Sequence, residues 1–313
     1  MTSEPSQHLK AVLASITRLY EQGSPENLSQ SDIIEAQRAY ASKPQPSVNE
    51  AVAVIPITIG HCKAEWLVPP EAEQNKRILM IHGGGFYANG LNSHRNFSIQ
   101  LATYSACPVL AIDYRLSPET PYPGALDDCM AAWKYMIATG PSGPAPAAQI
   151  FVMGDSAGGN LAAALLLRAH NEGLPKAHGC VLLSPALDLT CSGNSWATNV
   201  ATDIFLGNPE GEVNREDDWW IDNYLDGQDP THAYVSPLFG DLNDFPPLLT
   251  LVSQNERLLD DARRFHDKAL KSGVDSSLEC WDHVCHAWAS FSVKVPESDR
   301  ALMRMGEFIK SRN

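Results

Sequence analysis

The sequence predicts an α/β fold in which eight strands form a mostly parallel sheet with helices on both faces. Two observations carry this expectation. Short apolar runs alternate with helix-like segments from Ala51 onward, the order in which crossover connections build a parallel sheet. Two glycine-rich turns, His82-Gly83-Gly84-Gly85-Phe86 and Gly154-Asp155-Ser156-Ala157-Gly158-Gly159, each follow directly on such a run. At 313 residues the chain buries about three quarters of its unfolded surface, enough for one large core with additions.

The strand-like runs fall at 51–59, 63–68, 77–81, 108–113, 149–153, 180–183, 247–252 and 277–281. Arg77-Ile78-Leu79-Met80-Ile81 and Gln149-Ile150-Phe151-Val152-Met153 have the length and apolarity of buried strands, so each glycine-rich turn begins where a strand ends. Asn160-Leu161-Ala162-Ala163-Ala164-Leu165-Leu166-Leu167-Arg168 is rich in strong helix formers and predicts a helix after the second turn. The amphipathic stretch 258–271 predicts another, with His266 on its surface, and the proline-glycine stretch 140–147 predicts a loop. Two segments lie outside the sheet pattern. Residues 1–46 carry helical periodicity at 8–20 and 31–40 before a proline-spaced exit, and 186–229 holds Asp217-Asp218-Trp219-Trp220-Ile221-Asp222-Asn223-Tyr224-Leu225. The organisation expected is a helical segment at 1–46, a sheet domain at 47–185, a helical insertion at 186–229 and the continued sheet domain at 230–313.

Charge narrows the function. The 37 acids outnumber the 23 bases for a net charge of −14, whereas a nucleic-acid ligand needs a basic surface to displace counterions. No apolar run is long enough to cross a bilayer and no signal peptide is legible at the N-terminus. The seven cysteines, Cys62, Cys107, Cys129, Cys180, Cys191, Cys280 and Cys285, are odd in number and unpatterned, which suits a reducing cytoplasm. No metal-binding spacing of His or Cys occurs, and no cofactor motif.

The two turns carry chemistry. Gly-X-Ser-X-Gly arises by chance in roughly one chain in ten of this composition, but His-Gly-Gly-Gly in only roughly three per thousand, so the pair together decides the reading. A strand-to-helix turn at Ser156 exposes its Oγ and leaves the N–H of Ala157 free at the start of a helix. Three consecutive glycines bring bare amides close to a ligand. Phosphate binding would need a following Lys-Ser or Lys-Thr, which is missing. The remaining alternative makes Ser156 an ordinary helix N-cap.

A serine nucleophile needs a base and an acid to orient it. His283 and His286 both follow the last strand-like run, and either could occupy the loop at its end. Glu256 stands at the C-terminal edge of the run 247–252, where open α/β sheets gather their sites. Its competitors Asp260 and Asp261 fall in the first turn of the next helix, where acids complement the dipole.

His82-Gly83-Gly84-Gly85, Tyr114-Arg115-Leu116-Ser117-Pro118-Glu119, Pro121-Tyr122-Pro123-Gly124-Ala125-Leu126-Asp127-Asp128 and Gly154-Asp155-Ser156-Ala157-Gly158-Gly159-Asn160 together resemble the hormone-sensitive-lipase-like family of bacterial esterases, in its Gly-Asp-Ser-Ala-Gly branch. The resemblance runs from about Ile78 to the C-terminus and is weakest over 186–229. It implies the α/β-hydrolase fold, with the segments 1–46 and 186–229 joined as a helical cap. It implies Ser156 as nucleophile and Gly83, Gly84 and Ala157 as oxyanion donors. The family's Asp-Pro-Leu-Arg-Asp reads Glu256-Arg257-Leu258-Leu259-Asp260 here, which puts Glu256 in the acid's place. An aromatic residue usually stands two positions after the family's histidine, and His286-Ala287-Trp288 fits where His283-Val284-Cys285 does not. Arg115 with Asp127 and Asp128 has the residue types for buried charge-assisted bonds beneath the site, the alternative being a solvated helix start.

The expected function is therefore hydrolysis of small, uncharged esters with short or medium acyl chains, without metal or cofactor. Amidase or formamidase action through the same triad is the alternative, and a non-catalytic receptor on this fold is a further one that retention of His286 opposes. Phe86, Asp155, Trp219, Trp220 and Tyr224 are the candidate substrate-pocket residues, since concave sites are lined by aromatic and apolar side chains. Plain packing of the insertion on the body is the competing reading of the aromatics. The expected partner is a small-molecule ester, with neither nucleic acid nor membrane insertion; a homodimer is an open option.

Overall fold

The computed structural model describes residues 4–22, 29–208, 210–291 and 295–312. Its centre is an eight-stranded sheet made of β1 (Ala53–Ile59), β2 (Cys62–Val68), β3 (Lys76–Ile81), β4 (Val109–Asp113), β7 (Gln149–Asp155), β8 (Gly179–Leu183), β9 (Leu248–Ser253) and β10 (Ser276–Trp281). The two-residue strands β5 (Thr139–Gly140) and β6 (Gly143–Pro144) form a separate ladder in the stretch expected to be a loop. Every strand expected in the sheet is present, with bounds shifted by no more than two residues. The sheet order is β1-β2-β4-β3-β7-β8-β9-β10, and only β2 runs against its neighbours.

Side chains alternate across the sheet, as the strand period requires. On β3, Ile78 and Met80 enter the core beneath α3 (Leu91–Ser105) and α9 (Pro296–Lys310), while Leu79 and Ile81 enter the core beneath α4 (Gly124–Ala138) and α5 (Ala157–Asn171). α5 has small residues where it meets both sheet and neighbouring helix, and Ala162, Ala163 and Ala164 are fully buried. α8 (Leu259–Lys271) follows β9 and sets Phe265 and Ala269 into the α5-side core.

Outside the sheet, α1 (Gln7–Gln22) is moored at its start, where the Ser6 amide and hydroxyl donate to Glu297 of α9 at 2.8 and 2.7 Å. α2 (Gln30–Ala41) begins with a reciprocal capping box between Ser29 and Asp32. Its Arg38 forks onto Glu119 at 2.7 and 2.8 Å and also donates to the carbonyls of Tyr87 and Ser117. In the expected helical insertion at 186–229, the stretch 217–225 divides into a 3-10 turn, Arg215–Asp218, and α7 (Trp219–Leu225), with a further short helix α6 (Ser195–Thr198) before them. No helix among the described residues is long and apolar enough to cross a membrane.

One backbone contact fixes the centre of the sheet's C-terminal edge. A Cβ on Gly158, in the first turn of α5, would lie 2.1 Å from the Ile81 carbonyl oxygen and 2.5 Å from that of His82. Both obstacles are backbone, so neither can turn aside. Gly158→Ala should therefore destabilise the protein by about 1–3 kcal/mol through overpacking, measured by urea unfolding, with loss of whatever activity depends on this turn. A fully stable alanine variant would contradict the contact.

Candidate active site

Ser156 sits between β7 and α5 with φ 54° and ψ −122°, a left-handed conformation unusual for a residue with a side chain. The turn is held from outside: the Ser156 N–H donates to the Leu183 carbonyl at 2.9 Å, and its own carbonyl accepts from Asn160 and Ala186. The hydroxyl makes no capping bond to α5. It lies 2.9 Å from His286 Nε2 instead, which disposes of the N-cap alternative.

His286 Nδ1 lies 3.0 Å from Glu256 Oε2, so one imidazole spans the serine and the carboxylate. Both residues are nearly fully buried. The histidine loop is pinned by Ala287 N–H on Ser184 Oγ at 3.0 Å and by Ser253 Oγ on the Val284 carbonyl at 2.6 Å. His283 takes a positive φ of 63° and is exposed. Asp260 and Asp261 do lie in the first turn of α8, but both are bound elsewhere. Asp260 accepts from Ser195 N–H, and Asp261 holds the amides of Leu187 and Asp188 and the Trp196 indole. Burial pushes the Asp261 carboxyl up to about 8, with nearby Asp188 adding to the rise.

Burial acts on the His286–Glu256 pair in opposite senses. It pushes the Glu256 carboxyl up; the hydrogen bond and charge of His286 oppose this, Asp203 adds to it, and the net direction is upward. Burial would pull the His286 pKa down, but the hydrogen bond and charge of Glu256, then Asp203 and Asp155, outweigh it, so the imidazolium is favoured over that of a free histidine.

The glycine-rich loop requires a correction. Gly83 does not offer a free amide, because its N–H donates to Asp155 Oδ1 at 3.0 Å. A Cβ there would also stand 2.5 Å from that carboxylate and 3.0 Å from Ser156 Cβ. The amides of Gly84, Gly85 and Ala157 have no protein acceptor among the described residues. Gly84 and Gly85 take φ of 118° and 58°, conformations glycine reaches without strain. Behind the loop, Asp155 Oδ2 meets His94 Nε2 at 3.3 Å, and the His82 carbonyl accepts from Tyr114 Oη at 2.9 Å. His82 stacks on Tyr114, and burial, with His94 nearby, lowers its pKa to about 3, so the ring is neutral.

Asp155 is consequently a buried anchor of the loop and not a pocket residue. Phe86 and Tyr224 are not pocket residues either: both are fully buried and stack with ring centroids 3.7 Å apart. Trp220 is buried beside Phe86, so packing of α7 on the body accounts for three of the four aromatics. Only Trp219 keeps part of its surface open, against Tyr87 at 4.7 Å. The expectation for Arg115 is half met. Its guanidinium forks onto Asp128 at 2.9 Å twice, whereas Asp127 is exposed and pairs with Arg168.

Sequence reasoning passed over Asp203, Arg257 and Phe205. Asp203 and Phe205 lie in the segment where the resemblance is weakest, and no periodicity marks them. Arg257 was visible as a departure, since it stands where the resembling acid motif has proline.

Fold and site define a hydrolase class. The profile of the alpha/beta hydrolase fold family matches residues 78–290, and the chain belongs to that family. An acetyl-hydrolase of Streptomyces hygroscopicus is 36% identical over 255 residues, covering 82% of each chain. An esterase of Acinetobacter venetianus is 33% identical, covering 84% of each. Among solved structures, an esterase described as belonging to the bacterial hormone-sensitive lipase family superposes with a TM-score of 0.86 at 32% identity over 99% of both chains. The resemblance drawn from the motifs is thereby borne out.

The electrostatics give a direct test. The His286 imidazole should titrate above a free histidine in an NMR pH series, and in Glu256→Gln its pKa should fall, because the charge that opposes burial is gone. An unchanged His286 titration in that variant would contradict the pairing.

Proposed function

We propose that this protein hydrolyses carboxylic esters by a two-step acyl transfer in which Ser156 is the nucleophile, His286 the base and Glu256 the orienting acid. The observation that carries this reading is the single imidazole hydrogen-bonded to Ser156 Oγ at 2.9 Å and to Glu256 Oε2 at 3.0 Å. Relatives named acetyl-hydrolase and esterase support hydrolysis of esters.

In the resting tautomer the Nδ1–H donates a hydrogen bond to Glu256, leaving Nε2 to accept one from the serine hydroxyl. Ser156 Oγ attacks the ester carbonyl as its proton passes to His286 Nε2. The imidazolium that forms is stabilised by Glu256, the direction in which the His286 pKa is already displaced. Negative charge develops on the carbonyl oxygen, and the amides of Gly84, Gly85 and Ala157 are the donors left free to receive it. Collapse expels the alcohol, which takes the proton from Nε2. Water, deprotonated by the same nitrogen, then cleaves the acyl-enzyme and releases the acid. No metal or cofactor is needed.

Small, uncharged esters with short or medium acyl chains are the proposed substrates. A net charge of −14 disfavours anionic esters at long range, although salt screens this. We assign a cap role to the segments 1–46 and 186–229, because Tyr87 is reached from both: its hydroxyl donates to Gln37 at 2.8 Å and its ring packs on Trp219. The seven cysteines are all free thiols, which accords with a cytoplasmic setting.

Ser156→Ala should cut ester turnover by roughly 10⁴–10⁶-fold with the fold intact, and an organophosphate should label Ser156 alone. His286→Ala should abolish turnover while His283→Ala retains a measurable fraction. Assays on acetyl to decanoyl esters of one alcohol, beside matched amides, would separate the reading from amidase action. Dominant amide turnover, or a dead His283→Ala beside an active His286→Ala, would contradict it.

A further inference from the structure

The residue after Glu256 changes how the acid is held. Proline, which the resembling motif has at this position, lacks a backbone N–H; the Arg257 N–H donates to Asp203 Oδ2 at 2.8 Å. The Arg257 side chain, 2% exposed, runs into the 186–229 segment. Nε donates to the Trp196 carbonyl at 3.0 Å, Nη1 donates to the Leu206 carbonyl, and the guanidinium forks onto Asp218 at 3.0 and 3.2 Å. It also covers the Trp196 ring, 4.5 Å from the centroid.

The same segment binds the rest of the acid turn. Asn199 Nδ2 donates to the carbonyls of Gln254 and Glu256, both at 3.0 Å, and Thr202 Oγ1 donates to that of Asn255 at 2.9 Å. The other oxygen of Asp203 accepts from the amides of Phe205 and Leu206, so one carboxylate ties the acid turn to the Phe205 loop, whose ring lies 6.3 Å from that of His286. The Glu256 carboxylate is bound on one oxygen, Oε2, by His286. Oε1 completes no hydrogen bond, although Ser184 is close enough to favour the charged form. The backbone grip must therefore set where Oε2 meets His286. Stability gives a poor account of the buried pair, because replacing such a pair with apolar groups is often neutral or stabilising.

We propose that Arg257 is a positioning residue for the catalytic acid, a role that rests on the triad reading above. By clamping the 254–257 turn to the 186–229 segment, it sets the backbone at the distance a glutamate, one methylene longer than aspartate, requires. Proton transfer at Ser156 then depends on the seat of that segment.

The test compares Arg257→Lys, which keeps the charge but loses the fork, with Arg257→Met/Asp218→Leu, which removes both charges and leaves neither buried alone. The groups facing His286 are Glu256 from the acid turn, Asp203 from the 186–229 segment and Asp155 from β7, and neither variant alters them or the net charge. Rates on a short-chain ester are normalised to sites labelled by organophosphate, so misfolded protein does not count. Expected is a loss in kcat of about 10–100-fold, as for a small misplacement of a catalytic group, smaller in the lysine variant, with KM little changed. The acid limb of the kcat/KM profile should move to lower pH, because His286 loses part of Glu256's support. Full kcat per labelled site and an unmoved acid limb in either variant, with only a lower melting temperature, would make Arg257 structural and overturn the proposal. Failure of the triad reading is distinguishable: it would appear as a parent enzyme with no Ser156-dependent turnover.

Discussion

The end of β3 and the start of α5 touch backbone to backbone, and the geometry of the site depends on that contact. Gly158 has no room for a side chain against the carbonyls of Ile81 and His82, so the loop after β3 and the turn after β7 pack closer than any residue with a Cβ would allow. Asp155 adds an electrostatic tie across the same gap by accepting the Gly83 N–H. One glycine amide of the loop is thereby spent on structure, which leaves the next two, Gly84 and Gly85, unpaired beside the unpaired N–H of Ala157. Of the three, Ala157 is fully buried while Gly84 and Gly85 are half-buried, and an unpaired amide is costly where water cannot reach it.

Charge at the other side of the serine is arranged by a different part of the chain. Glu256, Asp203 and Asp218 are buried acids within a short stretch of structure, and the cations beside them are Arg257, Arg215 and, when protonated, His286. Burial disfavours each carboxylate alone. The arrangement is tolerated because Arg257 neutralises Asp218 while His286 supports Glu256. An imidazolium is favoured at the point where catalysis would form one. Ser156 and the loop after β3 are thus fixed by glycine contacts at the centre of the sheet, while the Glu256 turn is fixed by side chains from 186–229.

What the sequence disclosed follows from the range of each interaction. The strands were legible because β3 and β7 are locally apolar runs, and the turn at Ser156 because its glycines stand within a few positions of it. Glu256 was placed by its position at the end of a strand, whereas choosing His286 over His283 needed the aromatic at Trp288 and the family resemblance. The roles of Gly83 and Asp155 were misread, since Gly83 N–H to Asp155 joins residues 72 positions apart and leaves no periodic trace. The Arg257 pair with Asp218 spans 39 positions in a region with little regular structure. Phe86 and Tyr224 have the chemistry of pocket residues, and only the fold reveals that they stack on each other instead.

We propose that Gly84, Gly85 and Ala157 receive the oxyanion while Gly83 serves Asp155. A crystal structure of the protein trapped on Ser156 by a phosphonate that mimics the tetrahedral intermediate tests it most directly. The phosphonyl oxygen should lie within hydrogen-bond reach of those three amides, with His286 Nε2 beside the leaving-group oxygen and the Gly83 N–H still on Asp155. A phosphonyl oxygen bound by the Gly83 amide, with Asp155 displaced from the loop, would contradict it.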